Sequence, residues 1–275
     1  MVVKYKMIAL DMDGTLLNDK KEVSQENKIA IKKASELGVK IVVCTGRIFT
    51  SARFYASLIG TAAPIVASNG AYIREKDENR IIYKKAINKE ILPKLISVIE
   101  SFGLTLHLYT NQRIYTKELV NLALNYVRWN EVVSEGEKVE VKVVKDFEDV
   151  INSEEILKVA LVCDDIELLN KLRSKISKEF DVSIVSSNLN NIEIMAQGIS
   201  KGNAVKILAD YFGYKREEVI CVGDSENDIS MIEYAGLGVA MGNGIDYVKS
   251  IADYITDTNE RDGVAKVINK FILNE

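Results

Sequence analysis

The sequence predicts an α/β protein: a doubly wound, Rossmann-like parallel-sheet core interrupted by an inserted α+β block. Three observations predict it. Short apolar runs alternate with helix-like stretches over the first eighty residues, the same order returns near the C-terminus, and the middle carries strands of a more alternating texture.

In the first part, "KMIAL" leads to Asp11, "VKIVVC" to Thr45, and "APIVA" to Ser68 and Asn69. Between the first two runs lies "SQENKIAIKKASELG", where Ser24 caps a helix, Ile29, Ala30, Lys33, Ala34 and Leu37 follow helical spacing, and Gly38 closes the end. Continuous rather than alternating apolar runs argue for parallel strands covered on both faces. Near the C-terminus, "SKGNAVKILADYFG" reads as a helix capped by Ser200 and stopped by Gly213. It is followed by the strand "EVICVG", the loop "DSENDI", the short runs "GLGVAM" and "ADYIT", and a closing amphipathic helix "GVAKVINKFIL".

The middle begins with a helix in "NKEILPKLISVIESFG" and a hairpin of "LTLHLYT" and "RIYT" turning at Asn111 and Gln112. Strands "KVEVKVV" and "EILKVALVC", a helix from Glu167 to about Glu179, and strands "DVSIVSS" and "NIEIMA" complete it. The expected division is a discontinuous core of residues 1–83 and 193–275 with residues 84–192 inserted.

Composition narrows the function classes. The 275 residues are 47% hydrophobic and 28% charged, enough for two domains. A net charge of −4 with both signs interspersed disfavours nucleic acid, and no apolar run is long enough to span a membrane. A cytoplasmic protein with no obligate protein partner is the expectation. Cys44, Cys163 and Cys221 each sit in an apolar run and read as buried, reduced thiols. The single histidine, His107, gives a catalytic cysteine or a histidine-bound zinc little support, and reads as a partly exposed strand residue.

Loops at the carboxyl ends of the strands surround the ligand crevice of a doubly wound sheet. That rule gathers Asp11, Asp13, Thr45, Asn69 and Asp224 at one edge. Four acids there, Asp11, Asp13, Asp224 and Asp228, repel one another unless protons or a cation neutralise them, and a hard divalent ion, Mg2+ first, is the simplest answer. Thr45 offers a hydroxyl, Gly46 a close backbone approach and Lys201 a mobile cation, together a pocket for phosphate beside a metal. Asp11 is then placed to attack phosphorus, while Asp13 protonates the leaving oxygen and later deprotonates water. This division of labour requires Asp13 to hold a proton while Asp11 stays ionised, as a metal on Asp11 would encourage. Each segment alone also reads as a turn or a helix cap; their order and common placement after strands favour the joint reading.

These motifs resemble the haloacid dehalogenase superfamily, specifically its Cof-type phosphatases with a large inserted cap of the C2 type. "DMDGTLL" matches the first motif, "TGR" the second, Lys201 in "SKG" the third and "GDSENDIS" the fourth; "SNGA" and "IEIMAQGISKG" also resemble that subgroup. The resemblance implies Asp11 as nucleophile and metal ligand, and Asp13 as general acid/base whose carbonyl meets Mg2+. It makes Asp224 a further ligand with Asp228 supporting it, and the Met12 backbone, Thr45, Gly46, Lys201 and Asn227 holders of the phosphoryl group. Arg47 and Glu193 stay outside this set: Arg47 reads as a substrate contact or an ion pair, Glu193 as an anchor of the crossing. Tyr109, Tyr115, Tyr126 and Trp129 read better as core packing than as a stacking surface.

The reading is therefore a Mg2+-dependent phosphomonoesterase for a small phosphorylated metabolite, such as a sugar phosphate, nucleotide or phosphorylated cofactor. A phosphomutase using the same phospho-aspartate is the alternative within enzymes, and a receiver-like module that accepts phosphate on aspartate the alternative outside them.

Overall fold

The computed structural model describes residues 4–275; the first three residues of the expected core segment lie outside the described residues. The chain runs β1 (Met7–Leu10), α1 (Gln25–Glu36), β2 (Lys40–Val43), α2 (Phe49–Leu58), β3 (Ile65–Ala67), β4 (Tyr72–Arg74) and β5 (Ile81–Lys84). It continues through α3 (Leu92–Ser101), β6 (Leu106–Tyr109), β7 (Arg113–Thr116), α4 (Asn121–Trp129), β8 (Glu140–Val143), α5 (Glu148–Ser153), β9 (Lys158–Val162), α6 (Ile166–Glu179), β10 (Val182–Val185) and β11 (Asn191–Ala196). The last part holds α7 (Lys201–Phe212), β12 (Val219–Gly223), α8 (Ile229–Tyr234), β13 (Leu237–Ala240), α9 (Asp246–Ile251), β14 (Tyr254–Ile255) and α10 (Gly263–Ile268).

The core sheet has the order β14-β13-β12-β1-β2, all parallel. Its inner strands β1, β12 and β13 are buried on both faces, as their unbroken apolar runs require. Ile8 and Leu10 of β1, with Ile41 and Val43 of β2, face α1 and α10, whereas Met7, Ala9 and Val42 face α7. Ser24 caps α1 through Asn27, and Ser200 caps α7 through Asn203, as their sequences predict. Gly213 ends α7 in the left-handed region at φ 71°. The expected closing helix is α-helical to Ile268 and then widens into a π turn over Asn269–Leu273.

The run "APIVA" is a correction to the simple core. β3 is attached to the end of β2 by a parallel bridge between Cys44 and Val66, but its full pairing is antiparallel, in a three-stranded sheet β3-β4-β5.

A second sheet, β10-β11-β9-β6-β7-β8, forms the cap and is antiparallel except for the β7–β8 pair. One face carries its own core with α3 and α6, built on Leu106, Leu108, Val159, Leu161, Ile192 and Ile194. The alternate residues face the other way, among them Tyr109, Lys158, Ala160 and Glu193. Both boundaries expected from the sequence fall inside strands: 83/84 within β5 and 192/193 within β11, whose six residues all belong to the cap sheet.

Two single residues also differ from expectation. His107 is fully buried rather than partly exposed, its Nδ1 3.0 Å from the Thr116 hydroxyl on β7, because β6 lies inside the sheet. Cys44 and Cys221 are buried, but Cys163, at the end of β9, is only half-buried; all three thiols are free.

Candidate active site

Asp11 follows β1, Thr45 follows β2, and Asp224 follows β12, so three neighbouring parallel strands deliver them to one edge. Lys201, the first residue of α7, reaches the same point. Its ammonium donates to Asp11 Oδ1 at 2.5 Å and to Asp228 Oδ1 at 2.6 Å, and the side chain has no solvent exposure. The mobile cation expected from the sequence is thus a clamped one, because two buried carboxylates hold it.

Asp11, Asp224 and Asp228 each offer a carboxylate oxygen within 4.8 Å of the others. Three carboxylates against the one ammonium of Lys201 leave two negative charges uncompensated. Burial first, then the charge of Asp228, pushes the Asp11 carboxyl well above its ordinary range, with Lys201 opposing. Burial and Asp228 likewise raise Asp224 to about 6, against hydrogen bonds from Thr15 and Ser225. Burial disfavours the Lys201 ammonium, yet Asp11 and Asp228 hold its pKa above the usual lysine value. An all-oxygen donor set with this charge deficit fits a hard divalent cation.

The supporting loops are shaped for these acids. Gly14 adopts φ +82°, and a Cβ there would lie 2.5 Å from Asp224 Oδ2. The Asp224 oxygens accept from Thr15 Oγ1 at 2.7 Å and Ser225 Oγ at 2.8 Å. Asp228 Oδ2 accepts from the backbone N–H groups of Asp224 and Ser225, so both of its oxygens are engaged. The Met12 side chain is buried in the core and its carbonyl accepts from Thr15 and Leu17. Thr45 donates its N–H to Val66, and its hydroxyl accepts from Arg47 N–H at 3.2 Å.

Asp13 stands apart from the acid cluster. Arg47 grips it with two bonds, Nε to Oδ2 at 2.7 Å and NH2 to Oδ1 at 2.8 Å, and Lys21 adds a third at 2.9 Å. Burial alone would raise its pKa, but Arg47 and Lys21 hold the carboxyl well below the ordinary range. Without a cation in the cluster, Asp13 is held ionised by Arg47 and Lys21 while burial and Asp228 push Asp11 toward its neutral form; the expected division of labour needs a metal on Asp11 to keep it ionised. Of the two sequence readings of Arg47, the geometry gives the ion pair.

Sequence reasoning left Lys158 unremarked and Glu193 as a simple anchor. Both are buried, and their side chains pair at 2.6 Å. Lys158 also donates to the Gly46 carbonyl at 2.6 Å and sits 4.5 Å from the centre of the Tyr109 ring. Glu193 Oε2 accepts from Asn69 at 2.6 Å, and Asn69 Oδ1 accepts from Asn227 at 3.2 Å. A lysine inside the apolar run "EILKVALVC" was the available signal.

Between the core edge and the cap lies a cavity of about 700 Å3. Asp11, Asp13, Thr45, Gly46, Asp224 and Asn227 line its floor, and Tyr109, Tyr126, Trp129, Asn188 and Asn190 line its cap side. Three of the four cap aromatics expected in core packing also border the cavity: Tyr109 is buried in a cluster with Ile114 and Ala160, and Tyr126 and Trp129 pack against it; Tyr115 packs into the main cap core, its hydroxyl donating to Glu154. Their spacing fits a packed stripe equally well, and only the seating of α4 over the core edge turns it toward the cavity. Lys201 and Asp228 lie beneath the floor.

Comparison with known proteins agrees with this geometry. Residues 8–268 match the model of the haloacid dehalogenase-like hydrolase family. The chain is 35% identical over 271 residues, covering 98% of this chain and 97% of the relative, to the 5-amino-6-(5-phospho-D-ribitylamino)uracil phosphatase YcsE of Bacillus subtilis. A solved haloacid dehalogenase-like hydrolase from B. subtilis superposes with a TM-score of 0.86 at 30% identity, covering 97% of this chain and all of that one. The subclass IIB sugar phosphatase BT4131 superposes with a TM-score of 0.81 at 25% identity over 97% of this chain and 98% of its own. The chain belongs to the haloacid dehalogenase-like hydrolase family, as a phosphatase of its Cof-type branch.

Proposed function

We propose that the chain hydrolyses a small phosphorylated metabolite in the cytoplasm through an aspartyl-phosphate on Asp11, with Mg2+ as the cation of the acid cluster. One observation carries the reading: Asp11, clasped by Lys201 inside a cluster short of two positive charges, opens onto the cavity beside Thr45 and Gly46. Asp11, Asp224 and the Asp13 carbonyl would hold the ion, with Asp228 fixing Lys201 and the Asp224 loop. Bound there, Mg2+ would offset the charge of the cluster and of the phosphoryl oxygens.

The residues then divide the work. An Asp11 oxygen attacks phosphorus, the bond from phosphorus to the ester oxygen breaks, and that oxygen leaves with a proton from Asp13. In the second step Asp13 takes a proton from water, whose oxygen attacks phosphorus and releases orthophosphate from Asp11. Backbone amides of Met12 and Gly46, the Thr45 hydroxyl, Lys201 and Asn227 orient the phosphoryl group. The Arg47 fork suits Asp13 for the second step, where it acts as a base; for the first, Asp13 must exchange that partner for a proton.

The relatives' substrates, a phosphorylated ribitylamino-uracil and sugar phosphates, bracket the substrate class. The test is a panel of such monophosphates assayed for released orthophosphate with Mg2+ and with EDTA. Mg2+-dependent release that Asp11→Asn abolishes is expected. Isomerised substrate without orthophosphate would show a mutase instead, and an Asp11→Asn variant at near wild-type rate would overturn the nucleophile.

A further inference from the structure

Lys158 and Glu193 sit on adjacent cap strands, β9 and β11, and project from the same face. Their mutual ion pair lies within the cap. Their other two polar contacts do not: Lys158 holds the Gly46 carbonyl, and Glu193 holds Asn69, both on core loops. A Cβ on Gly46 would lie 2.9 Å from Glu193 Oε2, so the glycine of this loop is fitted to a cap side chain.

The core side of this contact is already tightly laced. Asn69 N–H donates to the Thr45 carbonyl at 3.0 Å and Ser68 N–H to the Arg47 carbonyl at 2.9 Å, so the loops after β2 and β3 are tied together. Ser68 and Asn69 both adopt left-handed backbone, at φ 48° and 55°, a conformation that needs such support. Asn69 passes the contact on to Asn227, on the loop that carries Asp224 and Asp228.

We propose that Lys158 and Glu193 form a cap-borne clamp that sets the shape of the phosphate loop, so that residues 45–47 and Asn227 take their working positions only when the cap is seated. The pair are positioning residues: they act through Gly46 and Asn69. Displacing the cap would break the bonds to Gly46 and Asn69 while leaving the Lys158–Glu193 pair whole, so the buried charges stay compensated in both positions. The clamp thus makes loop order depend on cap position without exposing a lone charge. Nothing else at the Gly46 carbonyl substitutes for the Lys158 ammonium among the hydrogen bonds of the described residues.

This inference rests on the phosphatase reading, and the experiment separates the two. Lys158→Met, Glu193→Gln and the double variant, which leaves no orphaned buried charge, are compared with wild type. Readouts are kcat and KM for p-nitrophenyl phosphate with Mg2+, the inhibition constant of orthophosphate, and Tm. A clamp predicts that each variant loses at least tenfold in kcat and binds orthophosphate at least fivefold more weakly. The double variant should be no worse than Lys158→Met, since both residues act through one seat. A purely structural pair would lower Tm while leaving kcat per folded enzyme and orthophosphate inhibition within twofold of wild type, and that result overturns the clamp. Wild type inactive on every phosphomonoester overturns the underlying reading instead; orthophosphate binding, followed by calorimetry, then still decides whether the variants perturb the loop.

Discussion

Arg47 and Asp13 form a fork with two near-parallel hydrogen bonds of 2.7 and 2.8 Å, placed at the edge of the cavity and 18% and 39% exposed at their side chains. Arg47 in turn donates to Ser51 and stacks 5.0 Å from the Tyr55 ring, so the guanidinium is fixed and the carboxylate follows it. The geometry makes Arg47 the principal control on the proton that Asp13 carries.

Replacing Arg47 with Met should therefore raise the pKa of Asp13 from its depressed position toward or above the ordinary value of about 4. The acid limb of kcat against pH moves upward, while at neutral pH Asp13 stays ionised and still serves as the base. Lys21→Met, which removes one exposed contact, should shift the same limb less. A pH–rate profile of the three proteins decides; an unmoved limb in Arg47→Met would detach Arg47 from the proton at Asp13.

The charge deficit at Asp11, Asp224 and Asp228 predicts that Mg2+ stabilises the folded chain. At a hundredfold excess over its dissociation constant the gain is about 2.7 kcal/mol, read as a rise in Tm that EDTA reverses. Because burial and Asp228 raise Asp224 to about 6 and also raise Asp11, the ion must displace protons as pH falls. The Mg2+-induced shift in Tm should shrink from pH 8 to pH 5. A shift independent of pH would place the ion elsewhere.

His107 sets an acid limit on stability. Burial first, then the Lys158 charge, depresses its pKa from 6.5 to about 4, and its Nε2 has no hydrogen-bond partner. The unfolded chain thus binds the proton more tightly than the folded one. Above about pH 6.5 the group costs nothing; between 6.5 and 4 stability falls with pH, by up to about 3 kcal/mol in all. Urea unfolding at pH 7.5 and 4.5 should show this loss in wild type and a smaller loss in His107→Gln. Equal losses would assign the acid sensitivity to other groups.

Gly14→Ala combines a disfavoured backbone at φ +82° with a Cβ only 2.5 Å from Asp224 Oδ2. Destabilisation of about 1–3 kcal/mol is expected, with a weaker Mg2+-induced rise in Tm because Asp224 is displaced. Chemical denaturation with and without Mg2+ measures both. A variant of wild-type stability and Mg2+ response would show that the loop relaxes freely.

The core was legible because buried parallel strands leave unbroken apolar runs, and because Asp11, Thr45 and Asp224 follow such runs directly. Capping at Ser24 and Ser200 was legible for the same local reason. What was not legible depends on partners far along the chain. β4 and β5 are short and pair only within the small β3-β4-β5 sheet, so their sequences carry little pattern. The expected boundary at 192/193 cuts β11 because that strand is continuous in hydrogen bonding while its side chains serve two cores: Ile192 and Ile194 the cap, Met195 and Ala196 the main one. The Asp13 fork spans 34 residues and the Lys158–Gly46 bond 112, distances at which spacing says nothing. The aromatics of α4 show how a packed stripe and a cavity wall share one periodicity.

The central claim is that Asp11 carries the phosphoryl group. Rapid acid quench of the Mg2+-loaded enzyme during turnover of a phosphomonoester, followed by mass spectrometry of its peptides, tests it most directly. One phosphoryl group on the peptide containing Asp11, appearing before orthophosphate and decaying with its release, is the predicted result. Orthophosphate formed at full rate with no phosphorylated peptide at any time would contradict it.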